Sequence, residues 1–190
     1  MSLGGIGEQG KGVCDYFSID TSEIDLRVGS MAHAFCAAGG FAAGTAQSVE
    51  HQRLSGQSYC FSASMPAVLT ITAIEGILKL QSKPEIMTNL KINSILLRKA
   101  LQQVKGIVLD GPIDSPLIHV RLESENVDDI RRIVRVAREA GLLLTRAKYV
   151  DSDLENTPGP SIRICSSAAF SAVEMKQIVE TLKSTLKSCL

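Results

Sequence analysis

From residue 84 to the end, apolar and polar positions alternate with clear periods. Behind Pro84, Ile86, Leu90, Leu97, Leu101 and Val104 recur at helical spacing, Lys91, Arg98, Lys99 and Lys105 take the expected wet face, and Gly106 is the stop. Strands are predicted at 107–109 and 117–122 around a Gly111-Pro112 turn. A helix over 128–140 follows, with Ile130, Ile133, Val134 and Ala137 inward and Gly141 ending it. Strands over 142–149 and 161–165, on either side of Pro158-Gly159-Pro160, lead to a last helix over 172–187 that turns Ile178, Val179, Leu182 and Leu186 inward. This order predicts an α+β layer of roughly a hundred residues, helices on one face of a largely antiparallel sheet.

Residues 1–83 are patterned differently. A strand is expected over 25–31, after a polar turn at Asp20-Thr21-Ser22-Glu23. A dense run of small residues, Ala32 to Gly44, comes next. Such a run suits a tight turn or a close approach of backbone to a ligand, and equally a buried strand-turn-strand without chemistry. Val28 to Val49 contains no Asp, Glu, Lys or Arg, so His33 reads as a packed core imidazole. A short helical turn over 44–53 breaks at Ser55-Gly56, and Tyr59-Cys60-Phe61-Ser62 alternates as a strand would. Pro66 opens a helix over 66–81, with Ser64 a possible cap, in which Val68, Leu69, Ile71, Ile74, Ile77 and Leu78 cover most of the circumference. A helix so apolar is expected to be buried or to lie in a subunit interface.

Composition narrows the classes. Twenty basic and twenty acidic residues cancel, which argues against nucleic acid or anionic lipid as a partner. Five cysteines without a C-x-x-C pair argue for free thiols in a reducing compartment, with no structural zinc. No charged leader precedes an apolar core at the N-terminus, so no signal peptide is expected, and the glycines and hydroxyls of 28–49 make a membrane span there unexpected. Gly5 to Gly10 matches G-x-G-x-x-G, and Gly5 to Lys11 matches a phosphate-loop pattern up to its last position, which is Gly12. Both motifs need a strand before and a helix after, so a flexible glycine loop is the plainer reading.

The run Gly29-Ser30-Met31-Ala32-His33, Ala34 to Ala38 and Gly39-Gly40-Phe41 resembles the lysine-bearing segment of the α-oxoamine synthases. These are pyridoxal-phosphate (PLP) enzymes of the aspartate aminotransferase fold, fold type I. The resemblance runs from about Leu3 to Leu190, is strongest over 25–65 and is clear again over 143–164. Gly4, Gly7, Gly10 and Gly12 fit the family's glycine loop, whose preceding aspartate would lie upstream of Met1, so the chain is expected to correspond to a C-terminal portion. Histidine stands at the Schiff-base lysine position, and with His51 to Gln57 and Tyr59 to Ser64 this is similar to the non-catalytic long-chain-base subunits of the serine palmitoyltransferases.

The resemblance implies an α/β fold divided into a partial large, PLP-binding-type domain at 1–83 and an α+β small domain at 84–190. It implies PLP held by a lysine-bearing catalytic partner in a heterodimer, not covalently by this chain. The implied role is support of L-serine condensation with palmitoyl-CoA, in a complex on the cytosolic face of the endoplasmic reticulum membrane. No catalytic residue is expected, since histidine forms no stable imine and no lysine lies between Lys11 and Lys79. His33 then becomes a packing or hydrogen-bonding residue at an interface. Ser62 and Ser64 match hydroxyls that reach the partner's cofactor phosphate, and Arg163 matches the arginine that grips the substrate carboxylate, here a contact or a vestige held by an acidic neighbour. The family's His-Thr after that arginine is Phe170-Ser171. Two other functions stay open: an active α-oxoamine synthase of the glycine C-acetyltransferase kind, which His33 opposes, and a stand-alone α+β interaction module.

Overall fold

Strict alternation in 117–122 becomes strand β4 (Leu117–Leu122), where Ile118, Val120 and Leu122 are buried and Leu117, His119 and Arg121 are half-buried on the other face. The structure, a computed structural model, describes residues 2–148 and 158–190. Their contacts divide the chain into two units, Met1–Thr88 and Asn89–Leu190.

In the second unit, β3 (Ile107–Asp110), β4, β5 (Thr145–Arg146) and β6 (Ser161–Cys165) form a sheet of order β3-β4-β6-β5, antiparallel at every pairing. Its inner face carries Ile118, Val120, Leu122, Ile162 and Ile164. Against them pack Leu97 and Leu101 of helix α5 (Glu85–Leu101), Ile130, Ile133 and Ala137 of α6 (Val127–Glu139), and Met175, Leu182 and Leu186 of α7 (Ala172–Cys189). Helices on one face of an antiparallel sheet are the expected arrangement. Two details differ. The expected strand over 142–149 is reduced to Thr145–Arg146, with Tyr149 outside the described residues. Arg98, expected on the wet face of α5, is 3% exposed, and its Nη2 donates to the Asp110 carbonyl at 2.9 Å. Burial of its long apolar stem places this arginine among the core residues.

The first unit begins with the glycine loop, a four-residue helix α1 (Val13–Tyr16), and a 3₁₀ turn at Thr21–Glu23 capped by Asp20. An antiparallel hairpin of β1 (Leu26–Ser30) and β2 (Gly40–Gly44) pairs Gly29 with Phe41, whose ring would collide with a side chain at 29. Thr45 then caps α2 (Ala46–Ser55). Tyr59-Cys60 belongs to a short helix, α3 (Gln57–Cys60), instead of a strand: the Cys60 N–H bonds back to the Gly56 carbonyl, and among the described residues no strand pairs with this segment. Four alternating residues are too few to separate one helical turn from a strand.

Helix α4 (Ala67–Ser82) starts at Pro66 with no side-chain cap, so Ser64 does not cap it. Burial expected of this helix is confined to one stripe. Ala73 is buried and Leu69, Ile77 and Leu80 pack against Phe35 and Ala37, while Val68 (71% exposed), Ile71, Ile74 and Leu78 face outward. Among the described residues no helix is long and apolar enough to cross a membrane.

Candidate functional site

The glycine loop shows why its spacing alone misleads. Gly4, Gly7, Gly10 and Gly12 all have positive φ, 71°, 88°, 71° and 89°, a region in which a side chain is strained. The turn they make aims two amides inward, and the Gln9 and Lys11 N–H groups donate to Asp15 Oδ2 at 2.9 and 3.3 Å. A carboxylate of the same chain thus occupies the position a phosphate would take. The helix that follows the loop, Val13–Tyr16, is a single turn, and the loop's amides are taken by Asp15. Beside it lies a cleft of about 640 Å³, walled mainly by apolar side chains that include Phe35, Phe41, Ile77 and Met87, with Lys11 and Glu8 among its few charged groups.

His33 sits in the turn that joins β1 to β2. The turn is closed by Met31 N–H to the Gly39 carbonyl (3.0 Å) and Ala37 N–H to the Met31 carbonyl (3.2 Å). Phe35 and Ala37 point into the small core, whereas His33 is exposed, so it is not the packed core imidazole expected. The alternation of the turn puts the aromatic ring, the more apolar of the two, inside. An imine to PLP requires a primary amine, and this turn supplies only an imidazole. This turn therefore offers no amine for a covalently held PLP. Ser62 and Ser64 are both exposed, Ser62 Oγ donating to the Ser58 carbonyl. His33, Ser62 and Ser64 belong to the first unit and Arg163 to the second.

Arg163 lies on the outer face of the second unit's sheet, opposite the buried pair Ile162 and Ile164. Its register neighbours are His119 on β4 and Thr145 on β5, and Asp110 on β3 lies opposite His119. One row, Asp110, His119, Arg163 and Thr145, therefore crosses all four strands. Asp110 is engaged by Arg121, Nε at 2.7 Å and Nη2 at 3.0 Å. Those hydrogen bonds hold the Asp110 carboxyl below its ordinary range against its desolvation, and they raise the Arg121 guanidinium. His119 Nδ1 lies 3.0 Å from the buried Ser161 Oγ. Arg163 is exposed, and among the described residues no ion pair joins it to a carboxylate.

Phe170 and Ser171 serve local structure. Ser171 caps α7 in a reciprocal box with Glu174, whose carboxyl is lowered by the Ser171 hydroxyl and amide. The Phe170 carbonyl accepts from the buried Asn93 Nδ2 at 3.0 Å. Asn93, His119 and Arg98 were not expected at these positions. The outward alternation of His119 with Arg121 was the available sign for one of them.

A family model described as aminotransferase class I and II matches residues 8–182. Serine palmitoyltransferase 1 of Dictyostelium discoideum is 36% identical, over 96% of this chain and 40% of its own length. Long chain base biosynthesis protein 1 of Arabidopsis thaliana is 32% identical over 96% of this chain and 39% of its own. The chain thus spans about 40% of the length of these relatives. A serine palmitoyltransferase of S. paucimobilis, solved with PLP and myriocin bound, superimposes with a TM-score of 0.85 over 99% of this chain and 46% of that one, and at 24% identity the likeness is one of fold.

Proposed function

Because the chain belongs to the aminotransferase class I and II family, we propose that it forms part of a non-catalytic long-chain-base subunit of serine palmitoyltransferase. The observation that carries this reading is the exposed His33 in the β1–β2 turn, where a catalytic member needs an amine, with no lysine between Lys11 and Lys79 to replace it. In this reading the first unit represents part of the large domain and the second the small domain. The partner is a lysine-bearing catalytic subunit that holds PLP and condenses L-serine with palmitoyl-CoA to 3-ketosphinganine, with loss of carbon dioxide. The complex works at the cytosolic face of the endoplasmic reticulum membrane.

Three features support a supporting role. The outward face of α4, with Val68, Ile71, Ile74 and Leu78, is apolar enough to need a cover. Ser62 and Ser64 are exposed hydroxyls of the kind that donates to a phosphate oxygen without adding charge, the Ser62 proton resting on the Ser58 carbonyl until such an oxygen replaces it. Arg163 presents a two-pronged donor with no carboxylate partner among the described residues. The test is co-expression with a lysine-bearing catalytic subunit and purification through a tag on this chain. Co-purification with the absorbance of bound cofactor and serine-dependent turnover is expected. Recovery of this chain alone, colourless and inactive, overturns the reading.

A further inference from the structure

Helix α6 divides its surface sharply. Ile130, Ile133 and Ala137 are buried, and Val134 and Val136 pack against the same cluster, so its apolar residues from 130 to 137 are engaged with the core. The opposite arc carries Arg131, Arg132, Arg135 and Arg138, all exposed. At about 100° per residue, Arg131, Arg135 and Arg138 fall within roughly 60° of one another, with Arg132 at the margin, so a single face holds them and points away from the core. Arg131 shares its charge with Asp128 at 2.7 Å, and Asp129 accepts from the Ser124 hydroxyl. Among the described residues no ion pair joins Arg132, Arg135 or Arg138 to a carboxylate, and Glu139 is the helix's only acidic residue after Asp129.

A further arginine comes from the neighbouring strand. The edge strand β5 lies against α6, and its Arg146 stands opposite Ile162, whose side chain faces the helices. The exposed Arg146 therefore leaves the sheet on the helix side, beside the arginine face.

We propose that this face of α6, extended by Arg146, is a docking surface for the anionic headgroups of a phospholipid bilayer. The zero net charge of the chain argues against such a partner only as a total; the field that a surface meets is local. Every cation on the face of α6 is an arginine, whose planar fork takes two oxygens of one phosphate.

The lack of exposed apolar residues on α6 favours a bilayer over other anionic partners. A protein interface is centred on desolvated apolar and aromatic side chains, and exposed ion pairs alone hold little. A duplex nucleic acid is bound tightly through about six to ten phosphate contacts, more than this face offers, and a single strand needs aromatic platforms, of which α6 has none. A bilayer presents many phosphates in one plane, and each arginine that approaches an anionic surface raises the partition about fivefold. This surface is independent of whether the chain meets a catalytic subunit.

The test sediments the full chain with sucrose-loaded vesicles of phosphatidylcholine alone and of phosphatidylcholine mixed with phosphatidylserine. Partition onto the mixed vesicles is expected to be about a hundredfold higher, from about fivefold for each of Arg132, Arg135 and Arg138. That preference should vanish near 1 M salt, where screening shortens to about 3 Å. R132Q/R135Q/R138Q, at exposed positions, should remove the preference and keep the circular dichroism and urea midpoint of the unsubstituted chain. R132K/R135K/R138K, which keeps the charge, should keep most of it, as should K176Q/K187Q on α7. Equal partition onto both vesicles, a preference that survives high salt or the triple glutamine substitution, or one removed equally by K176Q/K187Q overturns the proposal. Tighter retention by immobilised polyglutamate or by duplex DNA than by the mixed vesicles overturns it in favour of an acidic protein or a nucleic acid. Lost co-purification with a catalytic subunit concerns only the subunit reading, because the vesicle assay uses this chain by itself.

Discussion

Helices α4 and α6 show how the two units differ. In α6 the apolar residues form one stripe: Ile130, Ile133 and Ala137 are fully buried while Arg131, Arg132, Arg135 and Arg138 face water. In α4 apolar residues continue around the helix, and only the stripe holding Ala73 finds a core. The same contrast runs through each unit. The second gathers three helices and a sheet around one contiguous cluster, whereas the first buries Phe35, Ala37 and Ala73 and leaves Val28, Phe61, Val68 and Ile71 outside. Apolar content is a poor guide to what a segment buries within itself. Periodicity tells more, because a one-sided stripe can be satisfied by one core and an all-round one cannot.

This contrast is broken most sharply by truncating one side chain in each unit. Leu182→Ala, in the α7 contribution to the large cluster, is expected to cost about 2–5 kcal/mol through lost transfer energy and a residual cavity. Ile71→Ser, at a side chain 59% exposed on α4, should stay within about 0.5 kcal/mol. Urea unfolding followed by far-ultraviolet circular dichroism reads both. For association the order should invert: Ile71→Ser should reduce recovery of the catalytic subunit, and Leu182→Ala should leave recovery unchanged wherever the chain stays folded. Equal destabilisation by the two substitutions would mean that α4 is covered within the chain itself.

The residues show how far the sequence could be read. Strand β4 and helix α6 were legible because each pattern repeats long enough to exclude the other period, and Gly4, Gly7, Gly10 and Gly12 were legible because each takes a backbone conformation that glycine favours. Tyr59 and Cys60 were not, since their alternation is shorter than the ambiguity between a strand and a helical turn. Arg98 was misplaced because helical spacing gives a face and not the depth of that face; the carbonyl that draws it inward lies on β3, after an intervening turn. The row from Asp110 to Thr145 depends on cross-strand register, which chain order does not supply. His33 was read as core because charge is scarce around it, yet a tight turn must expose something, and Phe35 takes the inside.

Arg98 sharpens the comparison from within the better core. Its Nη2 satisfies the Asp110 carbonyl, but its Nε is buried with no hydrogen-bond partner among the described residues, and burial lowers its pKa against the pull of Asp110 and Asp114. Arg98→Ala removes the donor and leaves a gap, and is expected to cost about 1–3 kcal/mol. Arg98→Met keeps most of the stem and removes the unsatisfied group, so its cost should be smaller. Denaturant midpoints order the two variants. If Met is as damaging as Ala, the guanidinium and not its stem stabilises this corner of the sheet.

The smallest effect distinguishes the units by acid. Asp110 in the second unit and Asp20 in the first both titrate below the usual carboxylate range, Asp110 through its hydrogen bonds from Arg121 and Asp20 through the Ser22 amide. For a carboxylate lowered by folding, the unfolded chain binds more protons between the two pKa values, so stability rises with pH there. The contribution is complete above the unfolded value of about 4 and is lost as pH falls through the folded one. Both groups are partly or fully solvated, which keeps the size modest. Their structural reach differs. The Asp110–Arg121 pair ties β3 to β4 over the main cluster, whereas Asp20 holds only a three-residue turn. D110N should therefore lower the second unit's stability at neutral pH and flatten the acid limb of its stability–pH curve, while D20N, whose amide can still cap the turn, should leave the second unit's limb unchanged and act only on the first unit's. An acid limb flattened equally by D20N would mean that the first unit unfolds together with the second, and the two would then share one cooperative transition despite their unequal cores.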